Sequence, residues 1–485
     1  MAVVAGGRWA SSGGGRASRE GGTELETFVT QGLGDNSYLL ASGGEALVVD
    51  PQRDAWRFVS AAEARGLRIV AVVETHVHND YLTGALEIRD ATGAEVCAPA
   101  RGAYEFPHRP MAEGDEIALG AVRIQAMETP GHTPEHLAYV AREASDGEPV
   151  AAFTGGSLMV GSAGRTDLLG PELTDELTRA QFRTMRRLAS LPDAAQVLPT
   201  HGGGSFCASG GAGDRRTSTI GHERTTNPAF GAADEEAFVH DRLRGLLEYP
   251  AYYAHMAEIN RRGPRVLGRV PDVPPLDPAA FARSVDEGAW VVDARRRTEF
   301  AAAHVPGSLN VELSSSFGTY VGWVVPFDHP LALVLPDPPG AASEAAATQL
   351  LRIGYERIAG RLDGGVGAWT ADGRPAESYA TTTVEDLCRA VRSGAGPHVL
   401  DVRQPAEWET GAFPDSQGVF MGDLPGRLGE IPHDRESWVI CASGQRASVA
   451  ASLLARDGAP VRLVADGGVD ELLTICGPYP LAKQA

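Results

Sequence analysis

Short apolar runs set apart by glycine-rich turns open the ordered part of this chain. Phe28-Val29-Thr30, Ser37-Tyr38-Leu39-Leu40 and Ala46-Leu47-Val48-Val49-Asp50 read as consecutive strands of a β-meander. A β-branched run from Arg68 to Val73 reads as a buried strand. Its flanks, Asp54 to Gly66 and Leu82 to Thr92, carry helical patterns, the second stopped by Gly93. Glu172 to Leu188 places Leu173, Leu177, Ala180, Met185 and Leu188 at helical spacing, and Glu235 to Asn260 predicts one or two helices broken by Pro250. This alternation predicts a sheet flanked by helices. The aromatics Phe238, Tyr249, Tyr252 and Tyr253 are expected in the core rather than as a wall over a site.

Gly263-Pro264 through Pro275 is proline-rich and reads as a semi-rigid linker, which places a boundary near residue 270. Beyond it the pattern repeats once. Trp290-Val291-Val292-Asp293-Ala294-Arg295 with Glu299-Phe300 is answered 108 positions later by His398-Val399-Leu400-Asp401-Val402-Arg403 with Glu407-Trp408. Arg361 to Val366 likewise answers Val464 to Val469. So long a period means tandem domains rather than a solenoid. The expected organisation is a disordered lead over 1–22, a first domain over 24–265, a linker over 266–275, and two related domains over 276–375 and 380–480.

Composition narrows the function classes. A length of 485 residues is a prior for about three domains. With 63 acidic against 43 basic residues, a net charge of −20, the chain offers no basic stripe for nucleic acid or anionic lipid, so small-molecule substrates are expected. No apolar run approaches the roughly 20 residues a membrane span needs. Cys97, Cys207, Cys388, Cys441 and Cys476 are few, odd in number and scattered, a poor disulfide framework that suits a reducing cytoplasm. The lead lacks the apolar stretch of a secretory signal. Whether copies of the chain associate is left open.

Chemistry enters at Thr75-His76-Val77-His78-Asn79-Asp80-Tyr81, which leaves the C-terminal end of the buried strand, where α/β sheets place their sites. His76 and His78 can reach one metal from a loop, and Asp80 adds an oxygen; zinc, iron and manganese accept such ligands. Two later stretches strengthen the signal, Thr129-Pro130-Gly131-His132-Thr133-Pro134-Glu135-His136 and Leu198-Pro199-Thr200-His201-Gly202-Gly203-Gly204. With these three motifs in order, residues 24 to 265 resemble the metallo-β-lactamase superfamily, which implies a four-layer αββα sandwich with its ligands on edge loops.

Phe153-Thr154-Gly155-Gly156-Ser157-Leu158, Gly164-Arg165-Thr166-Asp167 and Glu223-Arg224-Thr225-Thr226-Asn227-Pro228 look most like the persulfide dioxygenases of that superfamily. That resemblance implies oxidation of a thiol persulfide, such as glutathione persulfide, to sulfite by oxygen at a mononuclear iron held by two histidines and an aspartate. His76 and His132 carry over as the histidines. The aspartate does not, because Gly156 stands in its place. Tyr81 stands where two-zinc thioester hydrolases carry histidine, which argues against a dinuclear hydrolase. Either His78 completes a three-histidine site or Asp80 turns in as the oxygen donor. Aspartate at position 156 is expected to raise iron occupancy if the cavity has room for it. Arg165 either holds a substrate carboxylate or pairs with Asp167.

In the second copy, Trp438-Val439-Ile440-Cys441-Ala442-Ser443-Gly444-Gln445-Arg446 places a cysteine between a strand end and a helix N-terminus, whose N–H groups and dipole favour a thiolate. Both copies resemble rhodanese, a small parallel α/β domain, which implies that Cys441 carries persulfide sulfur beside the cation of Arg446. In the first copy the matching strand runs into Leu335-Pro336-Asp337-Pro338-Pro339, with Pro336 near the cysteine position and no nucleophile. It is expected not to transfer sulfur. The other four cysteines are expected to be structural. The leading expectation joins persulfide oxidation to sulfur transfer through Cys441. The alternatives are a zinc-dependent thioester hydrolase of the glyoxalase II type and a metal-free sulfur carrier or scaffold.

Overall fold

A computed structural model describes residues 10–11, 22–208, 215–244, 246–394 and 396–477. The chain divides into two compact units, one over 1–246 and 253–270, the other over 247–252 and 271–485. Most of the expected disordered lead lies outside the described residues, but Ala10–Ser11 pairs in parallel with Glu24 and Leu25.

The first unit is built on two sheets. One runs in the order Ala10–Ser11, Glu24–Thr30, Asp35–Ser42, Glu45–Val49, Arg68–Val73, Glu95–Pro99, Arg109–Met111. The other runs Ser218–Thr219, Gln196–Pro199, Pro149–Gly155, Leu137–Glu143, Val122–Glu128, Glu116–Leu119. Strand side chains alternate between faces. Tyr38 and Leu40 therefore join Tyr139, Phe153 and Ile124 in a core between the sheets, whereas Leu39 packs outward with Phe58, Ala62, Ala85 and Ile88 of the helices Trp56–Ala64 and Ala85–Thr92. On the other side Ala138 and Val140 pack outward against Met185 and Leu188 of the helix Pro171–Leu188. Because both faces of these strands are covered, their sequences read as unbroken apolar runs. The four layers are helix, sheet, sheet, helix, as the resemblance implied.

The expected helices lie where the pattern put them, and Gly93 ends the second in left-handed backbone (φ 74). The stretch around Pro250 breaks into Glu235–Arg242 and Tyr253–Arg262, and Phe238 packs in the core as expected.

The second unit holds two five-stranded parallel sheets with one strand order. They run Pro275–Leu276, Ile358–Leu362, Leu331–Val334, Trp290–Asp293, Leu309–Asn310 and Ala380–Thr383, Val461–Asp466, Ser437–Ile440, His398–Asp401, Gln417–Gly418. The repeated residues have one structural job in each copy. Arg295 forks onto Asp293 (2.5 and 3.0 Å) and donates to Ala303 O (2.9 Å), while Arg403 forks onto Asp401 (2.8 and 3.1 Å) and donates to Gly411 O (2.7 Å). Glu299 and Glu407 each accept from a backbone N–H at the start of the next helix, closing a capping box.

One feature departs from the cysteine arithmetic. Cys388 on the helix Val384–Arg392 is disulfide-bonded to Cys476 on the helix Val469–Cys476, with Cα atoms 5.6 Å apart. The two are 88 positions apart, so only the tertiary packing of the helices reveals the pair. Among the described residues no helix is long and apolar enough to cross a membrane.

Arg403 is 3% exposed and its partner Asp401 is 1% exposed. Arg403→Ala should leave a buried carboxylate without its cation and lower the stability of that domain by about 3–5 kcal/mol. Thermal or denaturant melts of the full chain would show this as an earlier transition. A melt that superimposes on the parent's would mean that the fork is dispensable.

Candidate functional site

The strand Arg68–Val73 delivers Glu74 to Tyr81 into the edge of the sandwich, and every one of these residues is buried. The loop is held by carboxylates. Thr75 N–H and Oγ1–H donate to Asp50 (2.7 Å each), and Val77 N–H donates to Glu135 Oε1 (2.9 Å). His76, His78, His132, His136 and His201 gather here, with the His76 ring 4.2 to 5.3 Å from the other four by ring centroid.

Hydrogen bonds settle which ring nitrogens are available to a metal. The Thr75 hydroxyl gives its proton to Asp50, so it accepts from His76 Nδ1 at 2.8 Å and leaves a lone pair on His76 Nε2. His132 Nδ1 donates to Arg165 O (2.7 Å), which leaves Nε2 buried with a lone pair and no partner. His78 Nε2 donates to Glu74 (2.9 Å), and its Nδ1 is likewise buried without a partner. His136 is fully used within the protein. Its Nε2 accepts from Gly156 N–H (2.9 Å) and its Nδ1 bonds Thr129 Oγ1 (2.8 Å).

His201 joins this set, and its role was not singled out from the sequence. Its Nε2 lies 3.3 Å from His76 Nε2, and its Nδ1 faces Asp35 (2.9 Å) and Asp80 (3.2 Å). Burial alone would lower His201, but Asp80 and Asp35 outweigh it and raise it to about 10. Burial pushes His132 down to about 3, so its ring is neutral. Ligand atoms of His76, His78 and His201 lie within 4.8 Å of one another, as do those of His132, His201 and Cys207. A buried set of imidazole nitrogens with a nearby thiol and carboxylates fits a transition-metal ion such as zinc or iron, which would take the place of the protons that the neighbouring carboxylates favour on His201 and His78. The outer nitrogens are oriented by a hydroxyl, a carbonyl and carboxylates, as metal-bound histidines require.

Of the two routes left open for completing the site, His78 lies grouped with His76 and His201 and has an unpartnered Nδ1, while Asp80 lies against Nδ1 of His201. Tyr81 adds no ligand. Its ring stacks on His78 (4.3 Å) and its hydroxyl bonds Asp50 O (3.2 Å). Arg165 forks onto Asp167 (2.6 and 2.8 Å) with its guanidinium while its carbonyl orients His132, so of its two expected roles the pairing with Asp167 is the one seen.

The room on which the expectation for position 156 depended is taken up. A Cβ built on Gly156 would stand 2.2 Å from His132 Cδ2, so the His132 ring fills the space that any side chain there would need. No cavity remains for a carboxylate.

The second candidate site is the loop after the strand Ser437–Ile440. Cys441 Sγ accepts from Gly444 N–H (3.1 Å) and Ala447 N–H (3.3 Å), at the N-terminus of the helix Gln445–Arg456. Gly444 takes φ 85, which turns the loop around the sulfur. Arg446 forks onto Glu407 (2.5 and 2.8 Å). From the first copy, Arg297 donates to Ser443 O (2.5 Å) and to Glu312 (2.8 Å), and Asn310 N–H donates to Ser452 Oγ (2.9 Å). The first copy thus braces the loop of the second.

Register corrects one assignment. Asp293 pairs with Val334 as Asp401 pairs with Ile440, so the counterpart of Cys441 is Leu335 and not Pro336. The counterpart of Gly444 is then Pro338, the N-cap of the helix Pro339–Arg352, and proline has no N–H to offer a sulfur anion.

Residues 31–201 match the family model described as the metallo-beta-lactamase superfamily, and residues 277–372 and 383–473 match the rhodanese-like domain. The chain is 34% identical over 182 residues to a protein of Cereibacter sphaeroides named hydroxyacylglutathione hydrolase, a match that covers 36% of this chain and spans 66% of the length of that relative. It is 28% identical over 290 residues to a probable metallo-hydrolase of Burkholderia pseudomallei, covering 51% of this chain and 94% of that one. A crystal structure described as a metallo-beta-lactamase from Staphylococcus aureus superposes with a TM-score of 0.63 at 26% identity, covering 70% of this chain and 98% of that chain.

Two outcomes test this geometry. Cys441→Ser should abolish sulfur transfer from thiosulfate to cyanide in a chain that still folds, because a hydroxyl cannot carry sulfane sulfur at neutral pH. Transfer at the parental rate would move the activity elsewhere. Gly156→Asp should lower the metal content of the purified chain by displacing His132, and a metal content above the parent's would show that the ring can yield.

Proposed function

We propose that this chain, a metallo-β-lactamase domain joined to two rhodanese-like domains, oxidises a small-molecule thiol persulfide to sulfite and carries sulfane sulfur on Cys441. The observation that carries this reading is the pair of N–H donors at 3.1 and 3.3 Å from Cys441 Sγ, an arrangement suited to a thiolate and its persulfide. Its presence in one chain with a histidine centre that lacks the second-site residues of a dinuclear hydrolase directs the first domain to the same sulfur. The reaction balances as RSSH + O2 + H2O giving RSH and sulfurous acid. Sulfite can then take the outer sulfur from the Cys441 persulfide, forming thiosulfate and freeing the thiol.

In this reading His76, His78 and His132 would hold one iron, and the electrons that oxygen needs come from the outer sulfur of the persulfide as it becomes sulfite, with the metal as their relay. The protein orients those nitrogens through Thr75, Glu74 and the Arg165 carbonyl and keeps water from the buried loop. Glutathione persulfide is the substrate class we favour.

A second reading, zinc-dependent thioester hydrolysis, draws support from the 34% identity to a hydroxyacylglutathione hydrolase. Gly156 and Tyr81 weigh against it, since neither leaves a ligand for a second ion. The chain purified without added metal and assayed with glutathione persulfide and with a glutathione thioester separates the two. Iron, oxygen uptake and sulfite are expected. Zinc with thioester cleavage and no oxygen uptake would establish the hydrolase instead, and neither activity after loading with either metal would leave a sulfur carrier.

A further inference from the structure

We propose that Cys207 is the anionic ligand of the histidine centre, binding its metal as a thiolate in place of the carboxylate that Gly156 cannot provide. This rests on the reading above that the centre holds a metal ion, and it is independent of which reaction that ion serves. Three observations converge on it.

The first is placement. Cys207 is fully buried, and its sulfur lies within 4.8 Å of a ring nitrogen of both His132 and His201. The second is the unpartnered His132 Nε2, buried on a residue 1% exposed that belongs to that cluster, with its lone pair uncommitted. The third is the way the two residues are tied. Arg165 N–H donates to Cys207 O (2.9 Å) and Arg165 O accepts from His132 Nδ1 (2.7 Å), so a single residue sets the positions of both candidate ligands. Its guanidinium donates to Phe206 O (3.2 Å), which pins the same loop once more.

Charge gives the arrangement a purpose. Neutral imidazoles leave a dipositive ion unneutralised, and Asp35 and Asp80 face the outer nitrogen of His201 rather than the inner ones. A thiolate supplies one negative charge directly, and its softness suits iron(II), zinc and cobalt(II). Ligation is a proton exchange without redox change: the S–H proton leaves to solvent as the sulfur–metal bond forms. The plainer role for Cys207 is a buried side chain near the Tyr253 hydroxyl at 4.0 Å, as Cys97 is a buried thiol beside Glu95. That role predicts no change in metal binding when the sulfur is removed.

Cobalt(II) substitution of the full chain distinguishes the two. Thiolate-to-cobalt charge transfer should absorb in the near ultraviolet in the parent, in Cys441→Ser and in Cys97→Ala, and should vanish in Cys207→Ala. In competition with a chelator, Cys207→Ala should lose more than the ~10–100-fold in affinity that an outer-sphere partner costs. X-ray absorption of the zinc-loaded parent gives a measurement that needs no variant to fold, with one sulfur expected at about 2.3 Å. Cobalt bound stoichiometrically without a thiolate band, or zinc with only nitrogen and oxygen neighbours, would overturn the assignment while leaving the metal centre standing. Failure to bind either ion would remove the centre and this ligand together.

Discussion

A single buried carboxylate governs the histidine centre. Asp50 follows the strand Glu45–Val49 in left-handed backbone (φ 48) and accepts from the Thr75 N–H, the Thr75 hydroxyl and the Thr200 hydroxyl. Thr75 leaves a strand of the first sheet and Thr200 leaves a strand of the second, so one anion joins the sheets where the histidines emerge. Burial works against a charge at that point, but His78 and the hydroxyl donors outweigh it and hold the carboxyl below its usual range. Because Asp50 takes the Thr75 proton, the hydroxyl has only a lone pair to offer His76. The tautomer of a candidate ligand is therefore fixed by an aspartate that does not touch the ligand's inner nitrogen.

The two rhodanese-like copies show what the chemistry adds to a shared scaffold. Both have the strand-end aspartate, the arginine fork and the glutamate cap, and these hold the sheet and the following helix in place. Neither device is reactive. The difference lies in the nucleophile and one backbone donor: Leu335 stands where Cys441 does, and Pro338 has no N–H where Gly444 offers one to the sulfur. Having lost that loop, the first copy retains another use, since Arg297 and Asn310 hold the carbonyl side and the helix of the loop that works.

Local signals were legible and convergent ones were not. The sheet flanked by helices, the tandem repeat and the Cys441 loop could be read because each rests on periodicity or on residues within a few positions of one another, whereas the four layers came from the resemblance carried by the three histidine motifs. His201 was visible as a histidine after an apolar run, but its place beside His76 depends on the pairing of Gln196–Pro199 with Pro149–Gly155 across the second sheet. The Cys388–Cys476 bond depends on two helices meeting. Leu335 was misassigned by one position because only strand register aligns it with Cys441. The missing carboxylate was plain in the sequence. That its place is filled by the His132 ring follows from a distance no sequence contains.

The donor set bears on the choice between oxidation and hydrolysis. A hydrolytic centre works by keeping its ion electron-poor, so that a water bound there loses a proton near neutral pH. Carboxylates, and a second ion beside the first, preserve that character. A thiolate does the reverse, passing electron density to the ion as the cysteine ligand does in thiolate-bound haem enzymes, where it assists oxygen chemistry. In this chain a side chain at position 156 would meet the His132 ring, Tyr81 turns its hydroxyl to Asp50 O, and the Cys207 sulfur lies within 4.8 Å of a ring nitrogen of both His132 and His201. On the readings proposed above, these features weaken the case for water activation and favour an ion that exchanges electrons with oxygen. On that reading the sulfite formed would take the outer sulfur of a persulfide held on Cys441 by the Gly444 and Ala447 N–H groups.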